Sequence, residues 1–440
     1  MINDFKLFCD KSDLPVVVIL VEHGLLEDVL FAVALKIDQT EFNPVVVLTE
    51  SRARLSRNFA NGKLDSIPVF VSDTVDFSSI DTISVAVVSD IDYDRPAFSY
   101  KTKVIACPHY FSEYMASDDN ITLNRLRLVT RLLPHCDALF VAQAELGNLN
   151  YAECEKLFNN VLPAAGQRRE GLFTLIKGGY LKADLVRERA EAEQVEKDIV
   201  LIAPTSLSMR NFTEEQHQNS WYVMLQSALN SLPDAKIIFR FHPFNWEDRL
   251  VKKFMDEFSG LDRVVFDTNP STIPSFTRAK VYLTNCSAGR ITFSIATDIP
   301  NIMYKPHKGG EIARFGFLVR SQLELEKTLR ECYSNSSLMQ KEILKQRESE
   351  VLGVGKSFEI LLDSIKALAF SEDRSYWTSF ERRYVSGDWS SAHDWREWWK
   401  STTLPGANAI PDHIREYLVS IFPEGAPIPL PLVFHEGDNI

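Results

Sequence analysis

The sequence predicts an α/β protein made of two doubly wound domains and a C-terminal extension. Short β-branched runs alternate with helical stretches over most of the chain, the pattern of parallel sheets with covering helices. That alternation restarts after a charged interruption at 187–198, and from about Phe370 the composition turns Trp- and Pro-rich. A chain of 440 residues exceeds one ordinary core and suits two large domains plus an appendage.

The first domain, 1–186, opens on Val16-Val17-Val18-Ile19-Leu20-Val21. A continuous β-branched run marks a strand buried on both faces. Pro15 precedes it, where a strand can begin without losing a ladder bond. A helical pattern from Leu25 to Ile37 and a strand over Pro44 to Leu48 complete a β-α-β unit. Further strands are expected at 67–71, 85–88, 103–106 and 138–141, with a helix over Thr122 to Leu133. Residues 187–198 have no apolar face and read as a solvated linker helix. The second domain, 199–369, alternates strands at 199–203, 236–241, 264–266, 281–283 and 301–304 with helices at 221–232, 250–258, 291–296, 323–332 and from 339 onward. In the extension, 370–440, five of the seven tryptophans fall between Trp377 and Trp399. Packing against the other domains is the plain reading of that tail, and a membrane or partner contact is the sharper one.

The totals narrow the class. A net charge of −12 argues against a broad nucleic-acid footprint. The six cysteines are scattered, with no C-x-x-C pair, and read as reduced thiols rather than a disulfide frame or zinc site. The opening Met-Ile-Asn-Asp-Phe-Lys does not read as a signal peptide, and no apolar run has spanning length. A cytoplasmic protein is expected, with peripheral contact at the inner face of the plasma membrane as an added option.

Candidate chemistry gathers at strand ends, where backbone N–H groups and helix N-termini bind anions in open α/β sheets. His242-Pro243 ends one strand, with Arg240 just before it. A strand-end imidazole can donate to a phosphate or offset leaving-group charge. It can equally hydrogen-bond a loop carbonyl. Asn285-Cys286-Ser287-Ala288-Gly289 joins another strand to a helix. Its small residues admit an anion, and Ser287 also suits a helix cap. Thr205 follows the first strand of the second domain, and Lys305 follows a later one. In the first domain His23 and His109 each follow a strand and could act as general base on an acceptor hydroxyl.

In order, Gly179-Tyr180-Leu181-Lys182-Ala183-Asp184, Ala203-Pro204-Thr205, His242-Pro243, Thr284-Asn285-Cys286-Ser287 and Tyr304 resemble the C-terminal half of the CDP-glycerol glycerophosphotransferase family, the teichoic acid polymerase-like enzymes. The resemblance covers about residues 176–320. Leu181, Asn285 and Ala288 stand where that family has Pro, Asp and Ser, and no Arg-Asp follows Ala203-Pro204-Thr205. The His-Pro and Ser features are similar, more distantly, to GT-B Kdo transferases and sialyltransferases.

The resemblance implies a GT-B fold, two Rossmann-like domains facing across a cleft. It implies transfer of glycerol phosphate, or a related polyol phosphate, from a CDP- or CMP-linked donor. The acceptor would be a glycan, polyol-phosphate or lipid-linked polymer in capsule, teichoic acid or lipopolysaccharide assembly. Two alternatives stand beside it: a glycosyltransferase using CMP-Kdo or another nucleotide sugar, and an inactive GT-B scaffold. His242 would be catalytic, with His109 or His23 as base. Arg240, Pro243, Thr205, Asn285, Cys286, Ser287, Ala288, Gly289 and Lys305 would line the donor site. No obligatory cofactor or metal is expected, and no nucleic-acid partner.

Overall fold

The apolar runs become the inner strands of two sheets in the computed structural model. It describes residues 2–21, 27–48, 63–64, 66–71, 75–89, 98–107, 135–148, 171–194, 196–207, 213–287, 289–305 and 315–381. In chain order the strands are β1 (Val16–Val21), β2 (Asn43–Leu48), β3 (Lys63–Leu64), β4 (Ile67–Val71), β5 (Ile83–Val88), β6 (Lys103–Ala106), β7 (Ala138–Val141) and β8 (Leu172–Lys177) in one unit. Then come β9 (Ile199–Ile202), β10 (Lys236–Phe239), β11 (Val264–Phe266), β12 (Ala279–Thr284), β13 (Asn301–Tyr304) and β14 (Gly316–Val319) in the second, and β15 (Trp377–Glu381) back in the first.

The first unit's sheet has the order β15-β8-β7-β6-β5-β1-β2-β4-β3. Its strands pair in parallel except β3 on β4 and β15 on β8. Every residue of β1 is buried, as expected of a strand covered on both faces. β1 lies between β2 and β5, so the strand order reverses there. His23 and His109, and the helix expected over 122–133, lie outside the described residues.

The second unit's sheet is wholly parallel, in the order β11-β10-β9-β12-β13-β14. Counted from β9 this is 3-2-1-4-5-6, the dinucleotide-fold order, and its crevice lies where β9 and β12 diverge at their carboxyl ends. The helix Glu214–Ser231 begins well before the expected Trp221, because Thr213 and Gln216 form a reciprocal capping box. On its inner face Trp221 meets Phe241 edge-on at 4.9 Å between ring centres. Phe241 also packs on Phe254 at 5.6 Å. That aromatic cluster fixes the residue just before His242.

The domain boundaries differ from those expected. The chain divides at Gly179/Tyr180 and again at Ser357/Phe358, not at 187–198 and 370. Residues 187–193 of the charged stretch belong to a helix, Leu181–Glu193, whose Leu181, Ala183, Asp184, Leu185 and Val186 are buried. Arg187 donates to the Ile295 carbonyl at 2.8 Å, so the segment is anchored rather than a free linker. The extension begins as a strand: β15 pairs antiparallel with β8, Trp377 opposite Ile176. Residues 382–440, with the other four tryptophans of the tail, lie outside the described residues. Among the described residues no helix is long and apolar enough to cross a membrane.

Candidate functional site

Three loops leave the carboxyl edge of the second sheet where nucleotide-binding folds hold their ligands. The β9 loop is Ala203–Leu207. The β10 loop is Phe241-His242-Pro243, which turns at once into a short 3-10 segment, Pro243–Asn245. The β12 loop is Asn285–Ser287, which leads into the helix Gly289–Thr297.

Two asparagines tie these loops together. Asn285, fully buried, accepts the Thr205 N–H through Oδ1 at 2.8 Å. Its Nδ2 donates to Ser220 Oγ at 3.1 Å. Asn245 Oδ1 accepts from both Ser206 Oγ and Leu207 N–H, each at 3.0 Å. The Asn245 N–H in turn donates to the His242 carbonyl at 2.9 Å. The β9 loop is thus held from both sides, by the ends of β12 and β10. Buried side-chain bonds to backbone of this kind fix a loop because leaving either group unmade costs about 1–3 kcal/mol.

The β12 loop spends its own polar groups inward. Thr284 Oγ1 accepts from Cys286 N–H at 3.3 Å and Ser287 N–H at 3.0 Å. Ser287 Oγ accepts the Gly289 N–H at 3.2 Å, and its hydroxyl also bonds the Tyr282 phenol. Burial pushes that phenol up to about 12, the Ser287 bond opposing the rise. The expectation that backbone N–H groups of this turn face a phosphate is corrected on this point. Those of Cys286 and Ser287 already have acceptors, so an anion here would meet side chains and the helix dipole.

Arg240 also departs from expectation. Its side chain is buried and ion-paired with Asp267 at 2.7 Å. A second donor reaches the Pro270 carbonyl at 3.3 Å, and Trp246 lies 5.9 Å away across its ring. A guanidinium so neutralised braces the sheet end rather than offering charge to a ligand. Asn285 is likewise a tie rather than an exposed ligand.

The remaining candidates differ in exposure. His242, Pro243, Cys286 and Ser287 are half-buried. Thr205 is buried at 8% exposure and Lys305 at 9%. Lys305 follows β13, the neighbour of β12, and its N–H donates to the Val319 carbonyl at 2.9 Å. Gly289 sits tightly: a Cβ there would come within 2.9 Å of the Tyr282 phenol oxygen. Ala288 lies outside the described residues. Sequence reasoning missed Asn245 and Ser220. An Asn two residues beyond His-Pro is a turn signal, but its partner is 39 residues away. These strand ends thus bring a half-buried imidazole, hydroxyls and a buried lysine to one sheet edge that also carries a helix N-terminus, groups of the kind that bind phosphate.

No family model matches the sequence, and no curated protein matches it. Solved structures do. The wall teichoic acid polymerase TagF in one variant form aligns with a TM-score of 0.53 and 13% identity, over 85% of this chain and 95% of that one. A TagF form soaked with CDPG gives 0.52 and 12%, over 84% and 94%. A protein assigned as a UDP-N-acetylglucosamine 2-epimerase, from Listeria monocytogenes, gives 0.50 and 12%, over 82% and 98%. At such identities the likeness establishes the fold, which is of the GT-B type.

Proposed function

We propose that this chain is a GT-B transferase that moves glycerol phosphate, or a related polyol phosphate, from a cytidine-activated donor to a cell-surface glycan or polymer. The observation that carries the reading is the second unit's 3-2-1-4-5-6 sheet with His242 and the Thr205 and Ser287 loops at its switch edge. A nucleotide phosphate is the ligand such an edge is built to receive. The shared fold with TagF, which has been soaked with CDPG, favours a cytidine donor. His242 would donate to the departing phosphate and stabilise its charge as the bond to the nucleotide breaks. Thr205 and Lys305 would hold phosphate oxygens, with Ser287 at the helix N-terminus. The first unit would carry the acceptor, with His23 or His109 taking the acceptor proton.

A donor panel assayed by release of CMP tests this. Release from CDP-glycerol supports the reading. Release from CMP-Kdo or another nucleotide sugar alone replaces it with sugar transfer. Binding without turnover of any donor would point to the inactive scaffold.

A further inference from the structure

We infer that Asn285 is a positioning residue for the nucleotide site, its amide accepting from the Thr205 N–H and donating to Ser220, whose own proton is engaged by the His217 carbonyl. The inference rests on the functional reading above. Ser220 Oγ, on the helix Glu214–Ser231, donates its single proton to the His217 carbonyl at 2.8 Å. A hydroxyl has one donor and two lone pairs, so what Ser220 presents to Asn285 is a lone pair. On the other side the Thr205 N–H can only donate. Residue 285 must therefore accept on one side and donate on the other, across two partners 80 and 65 residues distant in sequence. Asn does both with one planar group. Asp, of nearly the same shape, offers only acceptors when ionised. It would keep the Thr205 bond but meet Ser220 with a second acceptor, which the hydroxyl can satisfy only by giving up its bond to the His217 carbonyl, and it would bury a charge.

The consequence falls on the β9 loop. Thr205 takes its place from this bond, while Ser206 and Leu207 take theirs from Asn245. Moving residue 285 shifts the β9 loop relative to the β12 loop, and with it the Thr205 hydroxyl relative to Ser287. A site that binds by geometry loses affinity when its groups are displaced.

The experiment is titration calorimetry of CMP and CDP with the full chain, comparing wild type, Asn285→Asp, Ser220→Ala and the double variant, with amide hydrogen exchange at Thr205 read in parallel. Asn285→Asp is expected to weaken binding about tenfold or more and to speed Thr205 exchange. Ser220→Ala, which leaves the Asn285 donor without an acceptor, is expected to weaken binding less. The double variant is expected to bind more tightly than Asn285→Asp alone, since the opposing lone pair is gone. Unchanged affinity in a folded Asn285→Asp protein overturns the inference while leaving the functional reading intact. Wild-type protein that binds neither nucleotide overturns both. Should Asn285→Asp fail to fold, Ser220→Ala carries the test: Thr205 exchange faster than in wild type supports the inference, and unchanged exchange with unchanged affinity overturns it.

Discussion

The guanidinium of Arg240, at the end of β10, pairs at 2.7 Å with Asp267, just beyond β11. Asp267 also accepts the Ser275 hydroxyl and the Asn269 N–H. The pair thus stitches two strand ends to the helix Ile273–Arg278. Removing one partner leaves the other charged and buried, which typically costs about 3–5 kcal/mol. Asp267→Ala should therefore lower the unfolding midpoint strongly, whereas Arg240→Met with Asp267→Leu should recover most of the loss. Denaturant unfolding of the three proteins checks this; an Asp267→Ala protein as stable as wild type would remove the brace from the account.

Gly289 is confined by Tyr282 and Ser287. A methyl group there would stand 2.9 Å from the phenol oxygen and 3.3 Å from Ser287 Oγ. Gly289→Ala is expected to cost about 1–3 kcal/mol by overpacking. Tyr282→Phe removes the nearer of the two clashing oxygens, so adding it should restore part of the loss. Thermal unfolding of the single and double variants reads the coupling.

Asp184 closes the second unit on itself. Its carboxylate accepts from Gly355 N–H at 2.9 Å and Ser357 N–H at 3.0 Å, at the start of the helix Ser357–Ala369. These residues adjoin both points at which the chain passes between units. Asp184→Ala removes a helix-start anchor with two bonds, one of them buried, and should cost about 1–3 kcal/mol. Proteolysis is expected to begin near 355–357 in that variant and not in wild type, a difference that gel mapping of the first cut would show.

Alkaline stability follows from three phenols. Tyr222 is pushed up to about 12 by its bond to Glu257, Tyr282 to about 12 by burial, and Tyr376 to about 12 by burial and then Asp363. Their ordinary value is 10.0. Above pH 10 the unfolded chain releases these protons before the folded one does, so the folded state holds more protons. Stability then falls as pH rises from about 10 toward about 12. Urea unfolding across that window should show the decline, and Tyr282→Phe should make it shallower.

The strands were legible because burial on both faces favours β-branched runs, and Val16–Val21 and Ile199–Ile202 supply them. The sequence alone does not show β3, β8, β14 or β15. Gly316–Val319 is short and begins on a glycine, and β15 gains its strand character only by pairing with β8. The unit boundary misled for a related reason. The charges of 187–193 dominate the local composition, while the burial that anchors the helix comes from Leu181, Leu185 and Val186 just before them.

By itself, then, the sequence determined the α/β class, the two doubly wound units and the strand ends that carry His242, Thr205 and Ser287, because hydrophobic period and strand-end chemistry are local properties. Only the tertiary structure decided what those residues have to spare. Arg240 is neutralised from 27 residues away, the Asn285 amide is committed at distances of 80 and 65 residues, and the N–H groups of Cys286, Ser287 and Gly289 are taken within their own turn. A polar side chain offers a ligand only what its neighbours leave unbonded, and those neighbours are set by sheet order, which brings β12 beside β9 and β10 beside β9 across long stretches of chain.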